Sequence, residues 1–363
     1  MWSLYLIFML MAASRLMFLP VNALQNHFQV VRPRANFPVT FLTPPNDPLK
    51  AQHLYQMKEA WRDAMQMSAL VHLTFSDCED AFEHYFEPQN AKFVKGVFGA
   101  IARAKNPLNI DPKTDDDRLK IMTSGIQWSE KFTELIMYGP GDHPDVSKEE
   151  RYCEKALDLE GKADEFMYIW QFRDDEHPNR AIVNVCELAF RFPGNTGIEV
   201  EGVLSRAKGP GRSRLGTFDN GYMTSMGSLL LHELMHWKYL LKGVDDYVDV
   251  TKGDEEGIIS DYDRDDRPED DLKYEEQPLD GNGPYNCFEL ALNKHNDAVM
   301  NADNYRWYAT TKWWSYRCQK NFDRGRDDDG KTGDKVRWQL PEGEQELPPQ
   351  QPAQPPQPQQ SAA

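Results

Sequence analysis

Apolar residues recur at helical spacing at Leu54, Met57, Ala60, Trp61, Ala64 and Met65, with polar residues between them, and predict a first long helix over Leu54 to Leu70. A second helical pattern covers Asp80 to Tyr85 and resumes after Pro88 from Phe93 to Ala104. The periodicity then changes. Ile121 to Ser124, Phe166 to Trp170 and Ala181 to Val185 are short runs rich in β-branched and aromatic residues between turn signals, as in a small sheet. Helical spacing returns at Ser225 to Lys242, which begins on an N-capping residue, is apolar on most faces and stops at Gly243, so it reads as one buried helix. Two further helices are predicted near Tyr285 to Met300 and Asp303 to Cys318. Asp245 to Gly283, dense in Asp, Glu, Gly and Pro, predicts a long surface loop.

The two ends of the chain read differently. Leu4 to Ala13 is an apolar run of signal-peptide length, followed by Pro20 and the small-residue site Val21-Asn22-Ala23; this predicts a signal peptide over 1–23 and a secreted, extracellular chain. Residues 24–50 are punctuated by Pro and Asn and predict an extended lead-in. Residues 51–335 then form one domain with its chemical core at 225–318, and 336–363 a Pro/Gln-rich tail that buries nothing. No later segment has the length and apolarity to span a bilayer.

Composition narrows the function. With 9 Trp, 15 Tyr and 18 Phe the chain can bury a sizeable core, which excludes a disordered protein. A formal charge of -17 repels phosphate backbones and anionic lipid, so neither nucleic acid nor a membrane surface is expected as partner. All five cysteines lie after the signal and fit an oxidising compartment. Two bridges and a free thiol, or an intermolecular bridge, are the options, and no C-x-x-C pair suggests a cysteine redox or zinc site.

The candidate chemistry is on the buried helix, at His232-Glu233-Leu234-Met235-His236. Residues four apart share a helix face, so both imidazoles reach one metal ion while Glu233, one step round, points at the open coordination position. One zinc ion per chain suits two imidazoles, a third ligand and a free site for water, with Glu233 as general base.

The motif is followed by Gly283-Pro284-Tyr285-Asn286 and Asn301-Ala302-Asp303-Asn304-Tyr305, and over Ser225 to Cys318 the chain resembles the aspzincins, the deuterolysin-like and lysine-specific secreted zinc metalloendopeptidases of fungi. The resemblance implies an α+β, mainly helical zincin-like metalloprotease fold with a small β-sheet, zinc as cofactor and a polypeptide as substrate of a monomeric enzyme. It also implies an aspartate as third ligand. Asp261, in Ile258-Ile259-Ser260-Asp261-Tyr262, is preferred to the alternative Asp246, in Gly243-Val244-Asp245-Asp246-Tyr247. Asp303 and Arg306 fall where the lysine-specific relatives line the substrate pocket, and the positive Arg306 argues against strict lysine preference. The family's Tyr-Gly pair is Asn282-Gly283 here, which leaves Tyr285 or the Asn282 amide as the replacement oxyanion donor. A catalytically inactive secreted binding protein that keeps the fold is the alternative.

Overall fold

The computed structural model describes residues 37–104, 126–154, 166–172, 176–191, 217–219, 221–263, 280–318 and 320–326. The signal peptide, the strand expected at 121–124 and the Pro/Gln-rich tail lie outside the described residues.

Strand β1 (Thr40–Leu42) falls inside the stretch expected to be an extended lead-in, and pairs with the sheet rather than running free. Helix α1 (Lys50–Thr74) follows and is the central rod of the fold. The apolar spacing located its middle. The helix runs past both predicted ends, where polar residues have partners: His53 bonds Asp47 at 2.9 Å, and Thr74 Oγ1 donates to Leu70 O at 2.7 Å. Helices α2 (Asp80–Glu83) and α3 (Ala91–Ile101) come next. The helix predicted to reach Ala104 stops at Ile101, because Ala102 turns to extended geometry and β2 (Ala102–Ala104) pairs antiparallel with β3 (Ile126–Trp128).

The main sheet is four-stranded and mixed. With β4 (Leu135–Tyr138), β5 (Met167–Gln171) and β6 (Ala181–Val185), its order is β1-β4-β6-β5; β1, β4 and β6 are parallel and β5 is antiparallel at the edge. The four residues of β4 are too few to show a period in the sequence. Helix α4 (Glu187–Arg191) leaves the sheet, and the bridge Cys153–Cys186 ties the end of β6 to the 142–154 loop. That is one disulfide where two were an option; Cys78, Cys287 and Cys318 are free thiols.

Helix α5 (Met226–Met235) packs on α1 and on α10 (Ala302–Cys318). Gly227 permits the crossing: a Cβ there would stand 2.3 Å from Asp63 Cβ and 2.9 Å from the Ala60 carbonyl. The helix starts in a capping box, with Ser225 Oγ accepting from Ser228 N at 3.1 Å and Ser225 N donating to Ser228 Oγ at 3.0 Å. Removing the bond to the Ser225 side chain by Ser225→Ala is expected to cost about 1 kcal/mol in urea unfolding, with the m-value unchanged.

The single helix expected over Ser225 to Lys242 is two. Backbone at Trp237 is extended, and α6 (Lys238–Leu241) starts afresh. No Gly or Pro marks the break. Trp237 is fully buried beside Phe132, its indole donating to Asn179 O at 3.2 Å, and that burial requires the turn. The acidic loop likewise holds a short helix, α7 (Tyr247–Val250). The helix expected over Tyr285 to Met300 divides at Lys294 into α8 (Gly283–Asn293) and α9 (His295–Ala298). Among the described residues the chain is α+β and mainly helical with a small mixed sheet, and no helix is long and apolar enough to cross a membrane.

Candidate metal centre

His232 sits in the last turn of α5 and His236 caps it, so four residues of helical rise stack the two rings on one side. Their Nε2 atoms stand 3.2 Å apart. Asp261 completes the group, with Oδ1 3.3 Å from His232 Nε2 and Oδ2 3.5 Å from His236 Nε2. A tetrahedral ion roughly 2.0–2.1 Å from each donor needs its donors about 3.3–3.4 Å apart. The imidazole separation matches that edge, and each imidazole has a different Asp261 oxygen near it, so the three residues could hold one metal ion.

The other ring nitrogens are already committed. His236 Nδ1 is 2.8 Å from the Ile259 carbonyl, which only accepts, so Nδ1 carries the proton and Nε2 presents its lone pair. His232 Nδ1 is 2.8 Å from Asp303 Oδ1. Both tautomers are therefore set for ligation from outside the ligand group, as metal-binding histidines require.

Asp303 is fully buried and fourfold bonded: besides His232 it accepts from Gly283 N at 2.8 Å, Arg306 at 2.9 Å and the Trp307 indole at 3.2 Å. Gly283 opens α8 with φ 80, a left-handed conformation that glycine adopts without penalty, and its amide thereby points at the carboxylate. Arg306 reaches on to Thr224 Oγ1 at 3.0 Å. The two residues that the resemblance assigned to a substrate pocket lie behind His232, Asp303 bonded to its Nδ1 and Arg306 to Asp303.

Asp261 arrives on a loop, yet its backbone is fixed. Ser260 N donates to Met300 O and Ala302 N to Ser260 O, both at 2.9 Å, and Tyr262 N donates to Asn301 Oδ1 at 3.0 Å. Asn301 Nδ2 meanwhile donates to Gly281 O at 2.8 Å and Asn304 Oδ1 at 2.7 Å. The Asn301-Ala302-Asp303-Asn304 run is the second layer of the site: Asn301 pins the Asp261 segment and Asp303 holds His232. Asp246, the alternative ligand, is elsewhere, exposed and 3.7 Å from Lys92 at the surface.

Glu233 faces the edge of the sheet. Its Oε2 accepts the Ile169 amide of β5 at 2.9 Å, and Oε1 is 3.9 Å from His232 Nε2. Gln171, on the same strand, donates to His236 O at 3.0 Å. Tyr285 is half-buried in the first turn of α8, and Asn282 is exposed just before it.

The electrostatics suit a dication. Burial works against charge on His232, but Asp261 and Asp303 outweigh it and lift its pKa well above the ordinary value. Burial lowers His236, with Asp261 opposing. Burial also opposes ionisation of Asp261, yet the two imidazoles bring it down to about 2; Arg306 and His232 likewise hold Asp303 far below the usual carboxylate range. Both carboxylates are anionic at neutral pH.

Ile169 N, the Ile259 carbonyl and Asn301 were not found from the sequence, since their parts depend on backbone brought together by the fold. The demand of each ligating imidazole for a partner on its other nitrogen was the available signal. No family model, curated protein or solved structure matches the chain.

Proposed function

We propose that the chain is a secreted zinc metalloendopeptidase of aspzincin type with a zincin-like arrangement, acting as a monomer on polypeptides. The observation that carries this reading is the convergence of His232, His236 and Asp261 to ligand spacing beside Glu233. A zinc ion bound there supplies Lewis acidity, which acidifies water and polarises a carbonyl. His232, His236 and Asp261 would hold the ion. Glu233, fixed by the Ile169 amide, takes a proton from the attacking water and returns it to the leaving amine.

The β5 edge supports a peptide substrate. Phe166 O and Phe172 N bond to the β6 side, so the alternation turns the main-chain groups of Met167, Ile169 and Gln171 outward, where Glu233 takes the Ile169 amide. An extended peptide pairing there lies along the strand that holds Glu233.

Asp303 orients His232 in this reading. Asp303→Asn sets an amide NH₂ against the Gly283 or Trp307 donor, and is expected to weaken zinc binding by about 10- to 100-fold. Asp246→Asn is expected to leave it unchanged. Competition against a chromogenic chelator, with circular dichroism to verify the fold, measures both.

A secreted binding protein that holds the metal without turnover is the second reading, and the exposed Asn282 in place of the family tyrosine is the observation that favours it. Zinc content and casein digestion of the purified mature chain, with and without chelator, separate the two. One zinc per chain with chelator-sensitive digestion is expected. Zinc without digestion transfers the conclusion to the second reading, and absence of zinc refutes both.

A further inference from the structure

We propose that His84, Arg324 and Arg326 form a binding site for a small molecule carrying a phosphate or sulfate group. These residues, with Asp323, line an open surface cavity of about 600 Å³. None of them belongs to the His232, His236 and Asp261 group, and the proposal does not depend on the reading of that group. In a chain of net charge -17, this cavity lining has two arginines against one carboxylate, Asp323.

The backbone under the arginines is fixed. Asp323 forms a parallel bridge with Phe218, with Asp323 N donating to Thr217 O at 2.8 Å and Asp219 N donating to Asp323 O at 2.9 Å. Gly325 is pressed on the start of α8, where an added Cβ would lie 2.6 Å from Pro284 C and from Tyr285 N. Each guanidinium is also stacked on a ring, Arg324 over Phe288 at 4.4 Å and Arg326 over Phe218 at 5.2 Å. Stacking uses the faces of the guanidinium planes and leaves the edge N–H groups to bond an anion.

His84 supplies the third arm. Its Nδ1 is 3.6 Å from Oδ2 of Asp219, a carboxylate buried at 1% exposure that also accepts the Tyr85 hydroxyl at 2.7 Å. The ring lines the cavity with its buried Nδ1 on the Asp219 side. Asp219 Oδ1 and His84 Nδ1 are both buried with no hydrogen-bond partner among the described residues. Two guanidinium groups from one segment and the His84 ring from another face the cavity, in reach of the terminal oxygens of one tetrahedral oxyanion. Asp323, 3.7 Å from Arg326, is the one acidic side chain in the lining and competes with an anion for that guanidinium. The cavity is larger than a bare oxyanion needs, which favours an ester over the free ion.

Calorimetric titration of the metal-loaded full chain with inorganic phosphate and with glycerol 3-phosphate, at constant ionic strength, tests the site. Saturable one-to-one binding is expected, tighter for the ester if a larger molecule is the natural source and equal for both if free phosphate is. Arg324→Gln and Arg326→Gln, both at exposed positions where folding is not at stake, should each weaken it by about 10-fold, and His84→Gln by a smaller factor. Zinc content should be unchanged in all three. Absence of saturable binding, or binding that survives the double arginine substitution, overturns the proposal.

Discussion

Glu233→Gln is expected to leave the chain folded and zinc-loaded while peptide hydrolysis falls by about 10²-fold or more. The amide oxygen of Gln can still accept the Ile169 N–H that fixes Glu233 at 2.9 Å, so the side chain keeps its place on the β5 edge. None of the three ligands changes, so metal content should match wild type. What is removed is the capacity to accept a proton from water. The loss should therefore fall on kcat with KM nearly constant, the pattern of an interaction made in the transition state. A Gln variant as active as wild type would show that some other group is the base.

His236→Ala carries the other large effect. If the roughly 10 to 16 kcal/mol of a tetrahedral zinc site is shared among four ligands, one imidazole accounts for about 3 kcal/mol, or about 10²- to 10³-fold in affinity. The substitution also deletes the 2.8 Å bond from Nδ1 to the Ile259 carbonyl, two residues before Asp261, so it loosens a second ligand together with the first. Thermal unfolding reports this independently of turnover: zinc should raise the wild-type midpoint through its preference for the folded state, and the rise should vanish in the variant. Full metal occupancy of the purified His236→Ala protein would refute the ligand assignment.

The parts of this site that were legible in the sequence are those fixed by local geometry. His232, Glu233 and His236 follow from helical spacing, and the preference for Asp261 over Asp246 is matched by the ligand spacing at Asp261 and by the surface position of Asp246 beside Lys92. Asp303 was singled out but its place behind His232 was not foreseen, because the contact joins residues 71 apart and depends on how α10 packs against α5. The same holds for the fold. The apolar stripe of α1 and the runs of β5 and β6 were readable, whereas the break after His236 comes from burial of Trp237 in surroundings built by distant segments. Strand β4 was missed because LIMY between a 3₁₀ turn and Gly139 carries too few residues to show a period.

The stretch between Asp263 and Asp280 enters and leaves the structure at one place. Those two residues form an antiparallel bridge, and Gly281 N donates to Tyr262 O at 2.7 Å just inside it. The neck is closed on the chain immediately after the third ligand. Geometry at Asp261 is thus pinned on its C-terminal side by Tyr262 and Asp263 themselves. Two ends held side by side in this way suit grafting: an affinity tag or an inserted domain joined at Asp263 and Asp280 would start and finish at one place.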